Sequence, residues 1–171
     1  MKRVIRRLLV ALCAPVLLMA AMATPALATS PHFVSATAHL SGVNLVVSFK
    51  EAGLGTNEQI TYTATADASA TYVCVNKGGA NPSASNKTDV SGPVSATGTF
   101  SSGKNGQVTA SLTVGPPPPP ADFSCPKGQL QETAQVTYTN VAITDTTNGV
   151  TEPIPGTFST GCLLPDVRGA C

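Results

Sequence analysis

The stretch Gln107 to Val114, QVTASLTV, sets Val108, Ala110, Leu112 and Val114 on one phase and Thr109, Ser111 and Thr113 on the other. Successive side chains of an extended chain point to opposite faces, so this period of two describes a strand with one buried face. The period recurs. It groups Leu45, Val47 and Phe49 within 43–50, Ile60, Tyr62, Ala64 and Ala66 within 59–66, and Ala134, Val136 and Tyr138 within 132–140. Val34, Ala36, Ala38 and Leu40 make a first strand. Shorter strands are expected at 70–75, 94–100 and 150–158, the last confined to an edge or an irregular ending by Pro153 and Pro155. Asn105-Gly106 and Asn148-Gly149 suit the positive backbone angles of tight hairpin turns. No amphipathic helix follows residue 28. The pattern predicts an all-β fold, an immunoglobulin-like antiparallel β-sandwich of about 7–9 strands braced by disulfides, with a closed barrel as the alternative.

The first 28 residues stand apart. Lys2, Arg3, Arg6 and Arg7 precede an apolar run from Leu8 to Met22, and Ala26-Leu27-Ala28 supplies a small-residue cleavage pattern. This is the layout of a secretory signal peptide. Pro15 within the run and Pro25 beyond it argue against a membrane anchor, and Leu12 before Cys13 argues against a lipoprotein signal. Cleavage after Ala28 leaves residues 29–171, with six Lys and Arg against nine Asp and Glu, a net charge of −3. The remaining Lys50, Lys77, Lys87, Lys104, Lys127 and Arg168 are scattered rather than gathered into a basic stripe, which speaks against a nucleic-acid partner. The expected product is secreted and extracellular, without stable insertion in a membrane. A mature chain of 143 residues, 171 less 28, buries one good core and is short for two, so 29–171 reads as a single domain.

Four cysteines remain, Cys74, Cys125, Cys162 and Cys171. An even number in an exported chain suggests two disulfides, with three possible connectivities. No C-x-x-C pair is present and His32 and His39 are remote in sequence, so a zinc site is disfavoured. Cys74 with Cys125 and Cys162 with Cys171 is the favoured pairing: the first would close a long loop beside predicted strands, and the second would clasp the tail at 159–171. The five prolines Pro116 to Pro120 read as an intradomain crossover at 115–122 rather than a linker. About fifty residues follow them, too few strands to bury a core of their own. Five residues of polyproline II span roughly 16 Å, enough to pass between sheets about 10 Å apart.

Within Leu45 to Ser159, the run YTATADASATYVCVNKGGANPSASNKTDVSGPVSATGTFSSGKNGQVTASLTV, the proline-rich stretch, FSCPKGQ and VTYTNVAITDTTNGVTEPIPGTFS together resemble a group of small secreted proteins of actinomycete-type bacteria and some filamentous fungi. The resemblance implies export and the pairing of Cys74 with Cys125, and it carries no catalytic residues. The segment from Cys162 to Cys171 departs from that pattern.

The residues themselves offer little chemistry. His32 and His39, seven residues apart, would face opposite ways on a regular strand. There is no G-x-S-x-G, no H-E-x-x-H and no phosphate-binding glycine loop. Glu51, Glu58, Asp67, Asp89, Asp122, Glu132, Asp145 and Glu152 could supply a glycosidase pair, but nothing in the sequence selects one. The expectation is a protein that is not an enzyme, with no catalytic, cofactor or metal residues. It would act through surface loops on an extracellular protein or cell-surface component. The alternatives are a secreted inhibitor of an extracellular hydrolase and a carbohydrate-binding module, the latter disfavoured by the absence of Trp. The polar stretch Asn76 to Pro93 is the longest loop candidate, expected to share one exposed face with the prolines, and Asn86-Lys87-Thr88 within it is a glycosylation acceptor in a eukaryotic host.

Overall fold

The alternating segments form strands throughout. A computed structural model describes residues 30–76 and 86–171; the signal segment and 77–85 lie outside the described residues. Its strands are β1 (His32–Ser41), β2 (Asn44–Ala52), β3 (Gln59–Asn76), β4 (Lys87–Ser101), β5 (Gln107–Val114), β6 (Gln129–Asp145), β7 (Val150–Ile154) and β8 (Phe158–Ser159). They build two antiparallel sheets packed as a sandwich. One has three strands in the order β1-β2-β5; the other has five, β4-β3-β6-β7 with β8 also paired to β6. Among the described residues no helix is long and apolar enough to cross a membrane.

Several strands are longer than their alternation suggests. The stretches 59–66 and 70–75 belong to one 18-residue strand whose inner face is Ile60, Tyr62, Ala64, Ala66, Ala68, Ala70 and Tyr72. Residues 87–93, read as loop, are paired in β4 with Val73 through Asp67. Polar Lys87, Asp89 and Ser91 obscure the pattern there, and Pro93 is tolerated because β4 is an edge strand, where a missing N–H leaves no rung unfilled. Pro155 divides the last predicted strand into β7 and β8. Asn105-Gly106 does not close a hairpin: β4 and β5 lie in different sheets, so the turn carries the chain across the sandwich. Gly106 has φ +61° there, and a Cβ would press on the Gly55 carbonyl. Asn148-Gly149 does join paired neighbours, β6 and β7.

The core lies between the sheets. Leu45, Val47 and Phe49 from β2, with Val108, Leu112 and Val114 from β5, meet the inner faces of β3 and β6. Phe49 and Tyr62 have ring centroids 4.5 Å apart, with Phe33 and Phe100 closing the cluster. Tyr138 of β6 donates its hydroxyl to the Val43 carbonyl at 2.8 Å and approaches that of Val114 at 3.4 Å, tying one sheet to the other. Two disulfides join Cys74 to Cys125 and Cys162 to Cys171.

Candidate functional site

The two ends of the sandwich are built differently. At one end β3 and β6 run beyond the strands of the smaller sheet, and each face of this projection acquires its own cover. On the inner face, the segment 115–128 passes from β5 in one sheet to β6 in the other. It is pinned there twice: the Tyr72 hydroxyl donates to the Pro117 carbonyl at 2.7 Å, and Cys125 bonds to fully buried Cys74. Phe123 packs against the main core, and its amide donates to the Pro120 carbonyl at 2.9 Å.

On the outer face, Val73, Val75 and Ala134 form a second apolar cluster with Val167 and Ala170 of the tail. A register shift in the β3–β6 ladder creates it. Thr71 pairs with Gln135 and Tyr72 with Thr133, so Ala134 is the extra residue of a bulge. The tail continues beyond β8 alongside β6: the Thr160 amide donates to the Val136 carbonyl at 3.0 Å and the Leu163 amide to that of Ala134 at 2.8 Å. The Cys162–Cys171 bond then closes the tail over the cluster. Leu130, opposite Val75, and Leu163 remain 52% and 41% exposed at its rim, with Lys127, Asp166 and Arg168 exposed nearby in the chain. Asn86, of the glycosylation triplet, donates its side-chain amide to Gln129 at 3.1 Å. The facing ends of β3 and β4 thus lie beside the start of β6, where the proline segment ends; residues 77–85 are outside the described residues.

The opposite end holds buried polar groups. Of the eight candidate carboxylates, Glu51 and Asp145 are wholly buried, and the other six are exposed. Glu51 continues the inward phase of Leu45, Val47 and Phe49, and Asp145 that of Val141 and Ile143. Asp145 is saturated by its own turn. Its Oδ1 accepts from the Thr147 and Asn148 amides at 2.8 and 3.0 Å, and its Oδ2 from the Asn148 side chain at 2.6 Å. Glu51 has no such support: neither carboxyl oxygen nor the Tyr62 hydroxyl reaches a partner in hydrogen-bond geometry. Burial pushes the Glu51 carboxyl up from 4.5 to about 7, Tyr62 opposing the shift, Asp145 reinforcing it and His32 opposing it. Burial, then Glu51, pushes the Tyr62 phenol upward as well. Tyr62 is close enough to bias Glu51, but without a formed hydrogen bond the desolvation dominates. Nearby, Ser102 is buried, accepting from the Glu58 amide at 2.9 Å and donating to the Gly55 carbonyl at 2.8 Å.

Of this acid pair, Glu51 alone was legible in the sequence, on the buried phase after Leu45, Val47 and Phe49; the register shift after Thr139 hides the inward phase of Asp145. A glycoside has no path to either carboxyl. One groove among the described residues opens away from them, on the outer face of the larger sheet, where Asp67, Ser69, Ser91, Gly92 and Thr137 help line about 340 Å³.

The histidines differ from expectation. The β1–β2 register slips between Phe33 and Ser35, so Phe33, Ala36, Ala38 and Leu40 turn inward and Val34 is 54% exposed. The added residue reverses the alternation, and His32 and His39 are both exposed instead of facing opposite ways. Among the described residues no three His, Cys, Asp or Glu side chains are placed to hold a metal. Comparison with models of known protein families and with curated proteins gives no match for this chain.

Proposed function

We propose that this chain is a secreted, non-catalytic interaction domain that binds an extracellular protein or cell-surface component through its disulfide-braced end. The observation that carries the reading is the double cover on the projecting strands, each cover closed or anchored by its own disulfide. Two disulfides suit an oxidising compartment. Segments fixed before binding lose less conformational freedom on contact, so bracing of this kind favours recognition. The resemblance of residues 45–159 to small secreted proteins supports the same reading.

The strand order supports an immunoglobulin-like sandwich. The chain passes between sheets at β2–β3, β4–β5 and β5–β6, and non-consecutive strands pair as β2 with β5 and β3 with β6. Inhibition of an extracellular hydrolase is a second reading, favoured by the rigid proline segment. Carbohydrate binding by aromatic stacking is disfavoured: all five Phe and three Tyr lie in the main core or pack against it.

The test is capture of partners from culture supernatant and cell envelope by the intact protein and by two variants. Leu130→Asp combined with Leu163→Asp is expected to abolish capture, while Thr37→Asp on the outer face of the smaller sheet preserves it. Equal capture by both variants overturns this placement of the site. Turnover of a substrate that is lost on changing a single carboxylate overturns the non-catalytic reading.

A further inference from the structure

The buried acid pair has no role in that surface, and it lies at the opposite end of the molecule. Glu51 approaches from the smaller sheet, while Tyr62 and Asp145 are directly paired in the larger one. Each of the three side chains is fully buried. We propose that Glu51, Tyr62 and Asp145 form a proton-operated latch: protonated Glu51 lets this end close, and loss of the proton sets a second buried negative charge beside Asp145 and loosens the end.

The chemistry follows from what surrounds Glu51. From β1 it faces the charge of His32, from β3 the Tyr62 hydroxyl, and from β6 the Asp145 carboxylate. Phe100 of β4, Val108 of β5 and Leu54 of the β2–β3 loop bring no charge to this end of the core, and Glu58 and Glu152 are exposed. Asp145 spends its oxygens on the β6–β7 turn, which it organises by accepting three N–H donors. A neutral Glu51 adds no charge to this buried site; an ionised one has no formed hydrogen bond from the protein to compensate it.

The sign follows from proton binding. The folded chain holds the Glu51 proton more tightly than the unfolded chain, so the stabilisation is complete below about 4.5, falls as pH rises through about 7, and is absent above. Across that window the folded-to-unfolded ratio is expected to drop on the order of a hundredfold.

Urea unfolding of the disulfide-intact protein from pH 4 to pH 9 tests this, alongside Glu51→Gln and the exposed control Glu132→Gln. The midpoint of the unchanged protein and of Glu132→Gln should fall between about pH 4.5 and 7 and level off beyond. That of Glu51→Gln should lose this fall and exceed the unchanged protein at pH 8. A flat profile for the unchanged protein, or a full fall retained by Glu51→Gln, overturns the proposal. Should Glu51→Gln fail to fold, the carboxyl carbon of Glu51 in the unchanged protein decides by NMR: titration near 7, with faster amide exchange at Thr147 and Asn148 above it, supports the latch. Titration in the ordinary carboxylate range, or exchange indifferent to it, overturns it.

Discussion

Tyr138 shows how much one side chain contributes when it bridges two sheets. Its ring fills the core and its hydroxyl reaches the Val43 carbonyl, so a single residue of β6 fixes the β1–β2 turn of the other sheet. Tyr138→Phe keeps the ring and leaves the half-buried Val43 carbonyl without this donor; it is expected to cost about 1–2 kcal/mol in urea unfolding, with the strand content unchanged by circular dichroism. Glu51 carries the opposite lesson. Its place on the buried phase after Leu45, Val47 and Phe49 could be read from the sequence, but its partner Asp145, 94 positions away, could not. Only the β3–β6 pairing of Tyr62 with Asp145 brings them to one end. Val34 was misplaced for a local reason: a one-residue bulge leaves no mark in an alternating pattern.

At the scale of elements, the alternation located every strand except the first half of β4, where polar residues on an edge strand look like loop. What alternation could not supply was sheet membership. Asn105-Gly106 has hairpin chemistry yet connects two sheets, because the turn fixes chain reversal and packing of Phe100 and Val108 against the shared core decides the partner. The two disulfides were legible as a framework, but the surface each one covers was not. Their exposures differ: Cys74 is fully buried, whereas Cys162 and Cys171 are both exposed. Mild treatment with a dithiol is therefore expected to reduce Cys162–Cys171 first, read by alkylation and peptide mapping. Replacing both cysteines of that pair by Ser should destabilise by about 2–3 kcal/mol, against about 4 kcal/mol for the Cys74–Cys125 pair, because the second loop is longer. Equal losses would mean that the tail's apolar contacts with Val73 and Val75, rather than loop closure, set its stability.

For the whole molecule, the proline run is what joins the sheets without dividing them. Residues 115–128 lie against the inner face of β3, pinned at Tyr72 and Cys74, so neither sheet can open without disturbing the segment. Urea unfolding of the disulfide-intact protein should accordingly show one transition, coincident by tyrosine fluorescence and by circular dichroism; two separated transitions would show that the sheets behave as independent units.

The arrangement also has a mechanical consequence. Ser30 lies against Gly53 at the acid end, and Cys171 lies beside Ala134 at the braced end, so tension applied between them runs along the strands and loads the ladders in shear. The bond from Cys74 to Cys125, 51 positions apart, would withhold about 180 Å of slack from any such extension until it was reduced. Stretched in an oxidising environment, the molecule would release only the chain outside that loop, chiefly residues 30–74 and 125–162, and keep its bracing intact.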